Sequence, residues 1–298
     1  MKTKNSCVLK KALINLLSFS SLTILCTLFF TAFFPVSQAD AFQAELKPAS
    51  IRQGDAFLLR VTGLNRSIEP SAMLNKKPLR FSSCGEGCFV AIGAVDLNAR
   101  AGVYRIPLKI GQHKSILRLR VLKGRFETIH LTLPEEKVSP VPEDIDRIKR
   151  EAGLLTSIWE IDSERLMEGG FVFPLENPLS TPFGTKRIIN KETVSIHRGL
   201  DIKGKEGEDI HASNRGRVVL TEELFFGGNT LILDHGHGIF TVYMHLSGFN
   251  VGLGDLVSKN DVIGFVGSSG RSSGPHLHFG VKVTGMNINP VSITRLRL

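Results

Sequence analysis

Hydrophobic and polar residues alternate with a period of two along the first half of the chain. Leu117, Leu119 and Val121, for example, are interleaved with Arg118 and Arg120. This period places successive side chains on opposite faces of a β-strand. The clearest runs of this kind, separated by turn-forming glycine, asparagine and aspartate, are Ala56–Thr62, Cys88–Ala94, 103–110 and 115–122. Several short strands joined by turns are typical of a small antiparallel β-sandwich, which we expect over residues 42–124.

A helical period follows the β pattern. Apolar residues at positions 145, 148, 152, 155 and 159 form a stripe at the spacing of an α-helix. Prolines at 134, 140 and 142 precede it, and Pro142 followed by two acidic residues is a typical helix start. We therefore expect a linker over residues 125–170 with one amphipathic helix that packs between two domains. The alternative role for this helix is an inhibitory plug over an active site.

The last part of the chain, residues 171–298, has β patterns again and is rich in glycine. Apolar runs at 230–233 and 239–245 flank an Asp-His-Gly-His-Gly turn, which predicts a hairpin. Two more strands are expected at 261–266 and His276–Val283. Because this part lacks a long helical pattern, the chain is predicted to be mainly β: an N-terminal sandwich, a connecting helix and a C-terminal antiparallel domain.

The first 41 residues have the pattern of a targeting segment. Four lysines precede an apolar stretch, and small residues around Ala39 provide a cleavage site for a signal peptidase. The alternative is an uncleaved anchor, because the run at 12–34 is long enough to span a bilayer and would tether the protein to the membrane. Both interpretations predict an exported protein of the periplasm or cell envelope.

The net charge of the chain indicates which classes of partner it would attract. The 298-residue chain carries a net charge of +9, and +6 remains without the four lysines and one aspartate of the targeting segment. A basic exported protein is attracted to anionic polymers, but no arginine-rich helix or interleaved aromatic run favours nucleic acid.

Cys84 and Cys88 are the cysteines outside the targeting segment, and in an exported chain we expect them to form a disulfide.

Candidate chemistry is concentrated in the histidines. Seven of the nine lie between residues 197 and 278. His197 and Asp201 are four positions apart, and His276 and His278 share one face of their predicted strand. A catalytic zinc site takes about three protein ligands of these types and leaves one position open. His197, Asp201 and one histidine of the last pair therefore form a candidate zinc site, with the other histidine close by.

His245 is a further candidate. In the predicted strand 239–245 it shares a face with Thr241 and Tyr243, whereas Val242 and Met244 face the other way. This alternation predicts that His245 is presented at a surface. Arg187 and Asn190 lie just ahead of His197 and are candidates for substrate contact. His211, His235 and His237 are interpreted as core, structural or solvent-exposed histidines.

A serine-hydrolase active site is a competing interpretation of the sequence. The segment 270–274 has the pattern Gly-x-Ser-x-Gly, which in serine hydrolases lies between a strand and a helix. Here Pro275 and an alternating strand pattern follow it, so we interpret it as a loop.

The order of motifs resembles one known family. Phe183-Gly184, the run from His197 to Asp201, the run from Tyr243 to Ser247 and the run from Gly274 to Phe279 resemble the LytM/lysostaphin-type metallopeptidases, peptidase family M23. The resemblance covers about residues 171–292. It implies two antiparallel sheets forming a groove, with one zinc ion bound by His197, Asp201 and His278, and with His245 and His276 as unligated catalytic histidines.

The resemblance also implies a function. Enzymes of this family mostly hydrolyse peptide bonds in peptidoglycan, either in D-amino-acid stem-peptide cross-links or in glycine-rich bridges, so we expect a zinc endopeptidase that acts on peptidoglycan cross-links of one of these two kinds. The sequence contains no His-Glu-x-x-His glutamate base, so histidines must handle the protons. Some related proteins have lost metal ligands and act as non-catalytic regulators that bind the cell wall. That is the alternative, although all five positions are filled here.

Overall fold

The computed structural model describes residues 42–65, 68–132, 141–191 and 193–298. The predicted targeting segment, residues 1–41, lies outside these ranges. Residues 40–298 belong to one compact unit. The described part is built mainly from β-strands, which confirms the predicted fold class. The domain boundaries at 124 and 170 stay predictions.

Nine of the described strands form the N-terminal part. They are β1 (Gln43–Lys47), β2 (Ser50–Arg52), β3 (Ala56–Thr62), β4 (Pro70–Leu74), β5 (Lys77–Leu79), β6 (Phe81–Gly85), β7 (Cys88–Ala94), β8 (Gly102–Ile110) and β9 (His113–Leu122). One sheet has the order β1-β3-β7-β6, and the other has the order β2-β9-β8-β4-β5. The pairs are antiparallel except β2 with β9, which is parallel.

The two sheets enclose a hydrophobic core, and the central strands β3 and β7 of one sheet are buried on both faces. Phe57 and Leu59 of β3 pack with Leu119 of β9 between the sheets. Leu58 of β3 and Ile92 of β7 belong to a different core, which they share with strands of the C-terminal part. The sheet β1-β3-β7-β6 therefore lies between the outer sheet and the C-terminal part, and burial of these apolar side chains stabilises both contacts.

A disulfide joins Cys84 to Cys88. It closes the turn between β6 and β7, where Gly85 pairs with Cys88. The predicted disulfide is confirmed.

The linker forms a strand and a helix. β10 (Thr128–Leu131) pairs in parallel with Lys186–Ile189, a strand pair that the sequence patterns did not predict. Helix α1 (Pro142–Trp159) begins at Pro142, the predicted start, and ends at the last residue of the predicted apolar stripe. Its residues Leu154, Leu155 and Ile158 pack in a core with C-terminal residues that include Leu220, Ile232 and Phe240. Among the described residues, this core contains none from β1–β9. The helix therefore lies on the C-terminal sheet and not between two domains, because the apolar stripe of the helix fits the apolar outer face of that sheet.

The C-terminal part contains twelve of the described strands and a short helix. They are β11 (Leu179–Thr181), β12 (Lys186–Ile189), β13 (Thr193–Ile196), β14 (Leu200–Lys203), β15 (Asp209–His211), β16 (Gly216–Leu224), β17 (Gly228–Asp234), β18 (Ile239–Phe249), β19 (Leu256–Val257), β20 (Val262–Val266), β21 (His276–Val283), β22 (Met286–Ile288) and α2 (Pro290–Thr294).

Two sheets are built from these strands. The large one has the order β11-β14-β21-β18-β17-β16-β19, with β15, β20 and β22 attached to it. The small one has the order β10-β12-β13. The predicted hairpin is the antiparallel pair β17 and β18. Among the described residues, neither helix is long and apolar enough to cross a membrane.

Candidate metal and catalytic site

Neighbouring strands bring the candidate ligands together. β14 and β21 are antiparallel neighbours, and their register places Asp201 directly opposite His278. His197 lies in the loop before β14, where its amide donates to the carbonyl oxygen of Thr185 and its carbonyl oxygen accepts from the amide of Gly184. Among the described residues, His197, Asp201 and His278 form a group whose ligand atoms lie within 4.8 Å of one another.

The three side chains converge through specific atoms. His197 Nε2 lies 2.9 Å from Asp201 Oδ1 and 3.0 Å from His278 Nδ1. His278 Nδ1 lies 2.8 Å from Asp201 Oδ1. On the other side of its ring, His197 Nδ1 donates to the carbonyl oxygen of Pro182 at 2.9 Å. This bond fixes the tautomer of His197, so its Nε2 lone pair is available to a metal ion.

This donor set suits zinc. Two imidazole nitrogens and one carboxylate oxygen are the ligand types of catalytic zinc sites, which use three protein ligands. The side chains of His197 and Asp201 are buried, and that of His278 is nearly so. A metal ion at this position would also neutralise a carboxylate that is otherwise costly to bury.

Electrostatics favour an ionised Asp201. Burial by itself raises the pKa of this carboxyl group, but hydrogen bonds with His197 and His278 outweigh burial and hold the pKa well below its usual range. Burial lowers the pKa of His278, although its hydrogen bond to Asp201 opposes that effect. The low pKa of Asp201 favours its carboxylate form and the lowered pKa of His278 favours its neutral form, and these are the forms in which the two side chains bind metal.

His245 and His276 lie beside this cluster. Their ring centroids are 4.9 Å apart, and the ring of His245 is 6.1 Å from that of His278. His245 Nδ1 donates to the carbonyl oxygen of Ser269 at 2.9 Å, and His276 Nδ1 donates to that of Gly274 at 2.8 Å. In both rings Nε2 is therefore left as the proton acceptor. His276 Nε2 lies 3.9 Å from Asp201 Oδ1, farther than His278 Nδ1.

The predicted surface position of His245 is wrong. His245 is 8% exposed, and Thr241 and Tyr243, on the same predicted face, are fully buried. Both faces of β18 are covered, since Val242 packs in the core beneath α1 and Tyr243 packs in the core of the large sheet. Burial lowers the pKa of His245 to about 4, partly opposed by its bond to Ser269. Its backbone φ of +67° is uncommon for a residue with a side chain.

The two proposed substrate contacts lie on the hairpin of β12 and β13. Arg187 Nη2 is 3.5 Å from Asp201 Oδ2, so this cation borders the ligand cluster. Asn190 lies in the turn after β12, with a φ of +53°. The structure thus brings Arg187 to the cluster and places Asn190 at the tip of the same hairpin.

The other histidines have structural partners. His235 is fully buried, its Nδ1 donates to the carbonyl oxygen of Arg215 at 2.8 Å, and its Nε2 lies 2.7 Å from Thr241 Oγ1. Burial lowers the pKa of His235 to about 4. His211 Nδ1 donates to the carbonyl oxygen of Asn260 at 2.9 Å. These contacts agree with the structural roles expected of both.

Gly199 is a site residue that sequence reasoning missed. A Cβ atom at Gly199 would lie 2.4 Å from His278 Nε2 and 2.8 Å from the carbonyl oxygen of Phe279. Glycine at this position therefore lets β21 bring His278 against the loop that carries His197. Its place between two candidate ligands was the only signal in the sequence.

The comparisons with known proteins match this region. The sequence model of Peptidase family M23 matches residues 195–290. The chain is 38% identical over 128 residues to the DD-carboxypeptidase/endopeptidase Mpg of Neisseria meningitidis serogroup B, covering 42% of this chain and 30% of that protein. It is 35% identical over 113 residues to the Peptidoglycan DD-endopeptidase ShyA of Vibrio cholerae, covering 37% of this chain and 26% of that protein. The chain thus matches less than a third of the length of either relative.

A solved structure is similar over most of the chain. It is a crystal structure of a peptidase M23 from Pseudomonas aeruginosa, with a TM-score of 0.62 and 26% sequence identity, and the alignment covers 81% of this chain and 93% of that one. The similarity therefore extends beyond the segment that the family model matches. All five site residues lie within the segment, residues 195–290, that the model of Peptidase family M23 matches.

Proposed function

We propose that this protein is a zinc-dependent endopeptidase that hydrolyses peptide bonds in peptidoglycan cross-links. The observation that carries the proposal is the convergence of His197, Asp201 and His278 within 4.8 Å, with two further histidines beside them. The names of the relatives support the substrate, since one is described as a Peptidoglycan DD-endopeptidase and the other as a DD-carboxypeptidase/endopeptidase. We accordingly propose the D-amino-acid cross-link as the bond that is cut. Such a substrate also requires action outside the cytoplasm.

His197 Nε2, Asp201 Oδ1 and His278 Nδ1 would hold the zinc ion. A bound zinc ion supplies Lewis acidity, which polarises a carbonyl group and lowers the pKa of water to roughly 7. The bond from His197 to the carbonyl oxygen of Pro182 keeps that ring in its ligating orientation.

His245 and His276 handle the protons of the reaction. Their Nδ1 atoms are held by backbone carbonyl groups, so each presents Nε2 to the site. Because burial lowers the pKa of His245 to about 4, this imidazole is neutral at pH 7. It can accept a proton from the attacking water, and its protonated form is a strong acid toward the leaving amine. A protonated imidazole also hydrogen-bonds the developing oxyanion.

Arg187 supplies a positive charge at the edge of the site. Its guanidinium lies 3.5 Å from Asp201 and is about one-third exposed, so it is accessible to a ligand. We propose that Arg187, with Asn190 on the same hairpin, contacts the substrate. A carboxylate of the peptide stem is the group that an arginine side chain would bind.

Mass spectrometry of purified cross-linked muropeptides, before and after digestion, tests this function. Hydrolysis should stop when the metal is chelated and return when zinc is added. Activity that persists in metal-free protein would contradict the proposal. Zinc-loaded protein that binds the cell wall without cutting any muropeptide would instead favour the non-catalytic regulator.

Two variants separate ligand from catalyst. His278→Ala leaves two protein ligands, so zinc content and activity should fall together. His245→Ala leaves the ligand set intact, so zinc should remain while the rate falls by about 10²–10⁴-fold. Zinc stoichiometry and initial rate are measured on both proteins. Loss of zinc in His245→Ala, or an unchanged rate, would show that the roles are assigned wrongly.

A further inference from the structure

The outer sheet of the sandwich has an exposed face on which every charged side chain is positive. The side chains of β8 and β9 alternate, so that Ile106, Leu108 and Leu119 point into the sandwich core and the intervening residues point outward. The outward, exposed residues include six cations. We define the cationic face by these residues: Arg52, Arg105, Lys109, Lys114, Arg118 and Arg120. No acidic residue occupies an outward position of these strands.

Like charges lie directly opposite one another on the cationic face. The register of β8 and β9 pairs Arg105 with Arg118 and Lys109 with Lys114. Like charges at directly opposed positions destabilise a sheet. None of these four side chains has an ion pair within the part of the chain that the structure describes. The arrangement therefore costs the fold stability and indicates an anionic partner.

Apolar side chains are interleaved with the cations. Val103 is 62% exposed and lies opposite Arg120, and Ile116 is 48% exposed and lies opposite Pro107. Leu122, beside Arg52, is 37% exposed. Apolar groups set among cations are typical of surfaces that lie in a membrane interface, where apolar burial and attraction to anionic headgroups act together. The outward positions carry no aromatic residue, whereas single-stranded nucleic acids are bound by stacking on aromatic side chains.

The position of the face leaves it open to a large partner. Strands β3 and β7 lie between the centre of the outer sheet and the C-terminal part, because both faces of these two strands are buried. The cationic face is thus on the side of the sandwich away from the metal site. A membrane on this face would not cover the cluster of His197, Asp201 and His278.

A basic cleft borders the same edge of the sheet. It has a volume of about 670 Å³ and includes Arg52 of the cationic face, together with Lys47, Arg295 and Arg297. Its one acidic residue, Asp55, accepts hydrogen bonds from the Arg52 amide and from Asn289. The positive charge of the face therefore continues around the edge strand β2.

We propose that the cationic face binds a membrane surface with anionic phospholipid headgroups. The arginines and lysines pair with the headgroup phosphates, and Val103 and Ile116 enter the interface between them. The proposal does not depend on the proposed enzymatic activity. It predicts membrane association without residues 1–41, since the face belongs entirely to the described unit.

Vesicle co-sedimentation of the protein starting at residue 42 tests the proposal. It should bind phosphatidylglycerol vesicles, bind phosphatidylcholine vesicles weakly, and lose affinity as salt is raised. Arg105→Gln with Arg118→Gln should weaken binding about 25-fold, since each cation near an anionic membrane contributes roughly fivefold. The matched control, Lys149→Gln with Arg150→Gln on α1, removes the same charge elsewhere and should change affinity less than twofold. Equal loss in both variants, or no loss in the first, would overturn the proposal.

The apolar residues distinguish a membrane from another polyanion. Val103→Ser with Ile116→Ser keeps every cation, so vesicle binding should fall several-fold while binding to dextran sulfate is unchanged. Equal effects on both ligands would overturn the proposal. Purified peptidoglycan provides a further comparison, because binding to it that depends on Arg105 and Arg118, without vesicle binding, would identify the wall as the partner instead.

A variant that should be more stable than the parent tests whether weaker vesicle binding results from loss of folding. Arg105→Glu places a carboxylate opposite Arg118, so the midpoint of thermal unfolding should rise by about 1–3 °C. Vesicle binding should fall in the same protein. A variant that is more stable and still binds vesicles as the parent does would refute a role for the cationic face.

Discussion

Gly199 offers a direct test of how the metal site is assembled. In Gly199→Ala, the new Cβ would lie 2.4 Å from His278 Nε2 and 2.8 Å from the backbone oxygen of Phe279, whereas an ordinary contact is 3.4–4 Å. The backbone oxygen belongs to the paired strand β21 and cannot move away easily. The imidazole of His278 must therefore shift by about 1 Å, which is several times the roughly 0.2 Å tolerance of a metal-ligand distance.

The expected loss of zinc affinity can be estimated from the free energy that each ligand contributes. Structural zinc sites with four ligands contribute about 10–16 kcal/mol, or about 3 kcal/mol for each ligand. Loss of His278 as a ligand should therefore weaken zinc binding by about 100-fold. Since His245 and His276 retain their own bonds to Ser269 and Gly274, the defect should be specific to the metal.

Competition with a chelator of known zinc affinity measures this effect. Gly153→Ala is the matched control, because Gly153 lies in α1 with no atom within 4 Å of the added Cβ. It should leave zinc affinity unchanged and raise the free energy of unfolding by about 1 kcal/mol, since alanine favours a helix over glycine. If folded Gly199→Ala binds zinc within threefold of the parent protein, the argument that Gly199 positions His278 is refuted.

Three further predictions concern stability. Burial lowers the pKa of His235 to about 4 in the folded protein, whereas in the unfolded chain it stays near 6.5. As the pH falls below 6.5, His235 is therefore protonated in the unfolded chain first, and the folded state loses stability. Between pH 7 and 5 the free energy of unfolding, measured by urea titration, should fall about 2 kcal/mol more in the parent protein than in His235→Asn. His245→Gly should be about 1 kcal/mol more stable than His245→Ala in thermal unfolding, because the φ of +67° suits glycine, and equal stabilities would argue against backbone strain. Reduction of the bond between Cys84 and Cys88 should cost about 2 kcal/mol, and thiol counting on unreduced protein should find neither thiol reactive.

Local patterns predicted best the strands in which hydrophobic and polar residues alternate regularly. β3 and β7 have the expected bounds, and β21 also begins and ends where its alternation does. Period-two alternation is a property of the backbone at each residue, so it needs no information about distant parts of the chain. The same argument placed His276 and His278 on one face of β21, and both side chains point toward Asp201.

Local patterns did not predict which residues are buried or which strands pair with each other. The alternation in 239–245 assigned Thr241 and His245 to an outer surface, but α1 covers one face of β18 and the core of the large sheet covers the other. β10 was missed because a parallel strand takes its partner from elsewhere in the chain. Each of these features depends on contacts between segments far apart in sequence.

The candidate metal site depends in part on local patterns and in part on the tertiary structure. Residue types and their spacing singled out His197, Asp201, His245, His276 and His278 as candidates, because the chemistry of a zinc site limits which side chains can take part. From spacing alone, His276 and His278 were equivalent as third ligand. Strand register distinguishes them, since the pairing of β14 with β21 places His278 Nδ1 2.8 Å from Asp201 and leaves His276 Nε2 at 3.9 Å. Residues 77 positions apart meet only through that pairing, and its register depends on hydrogen bonds and packing across the whole sheet.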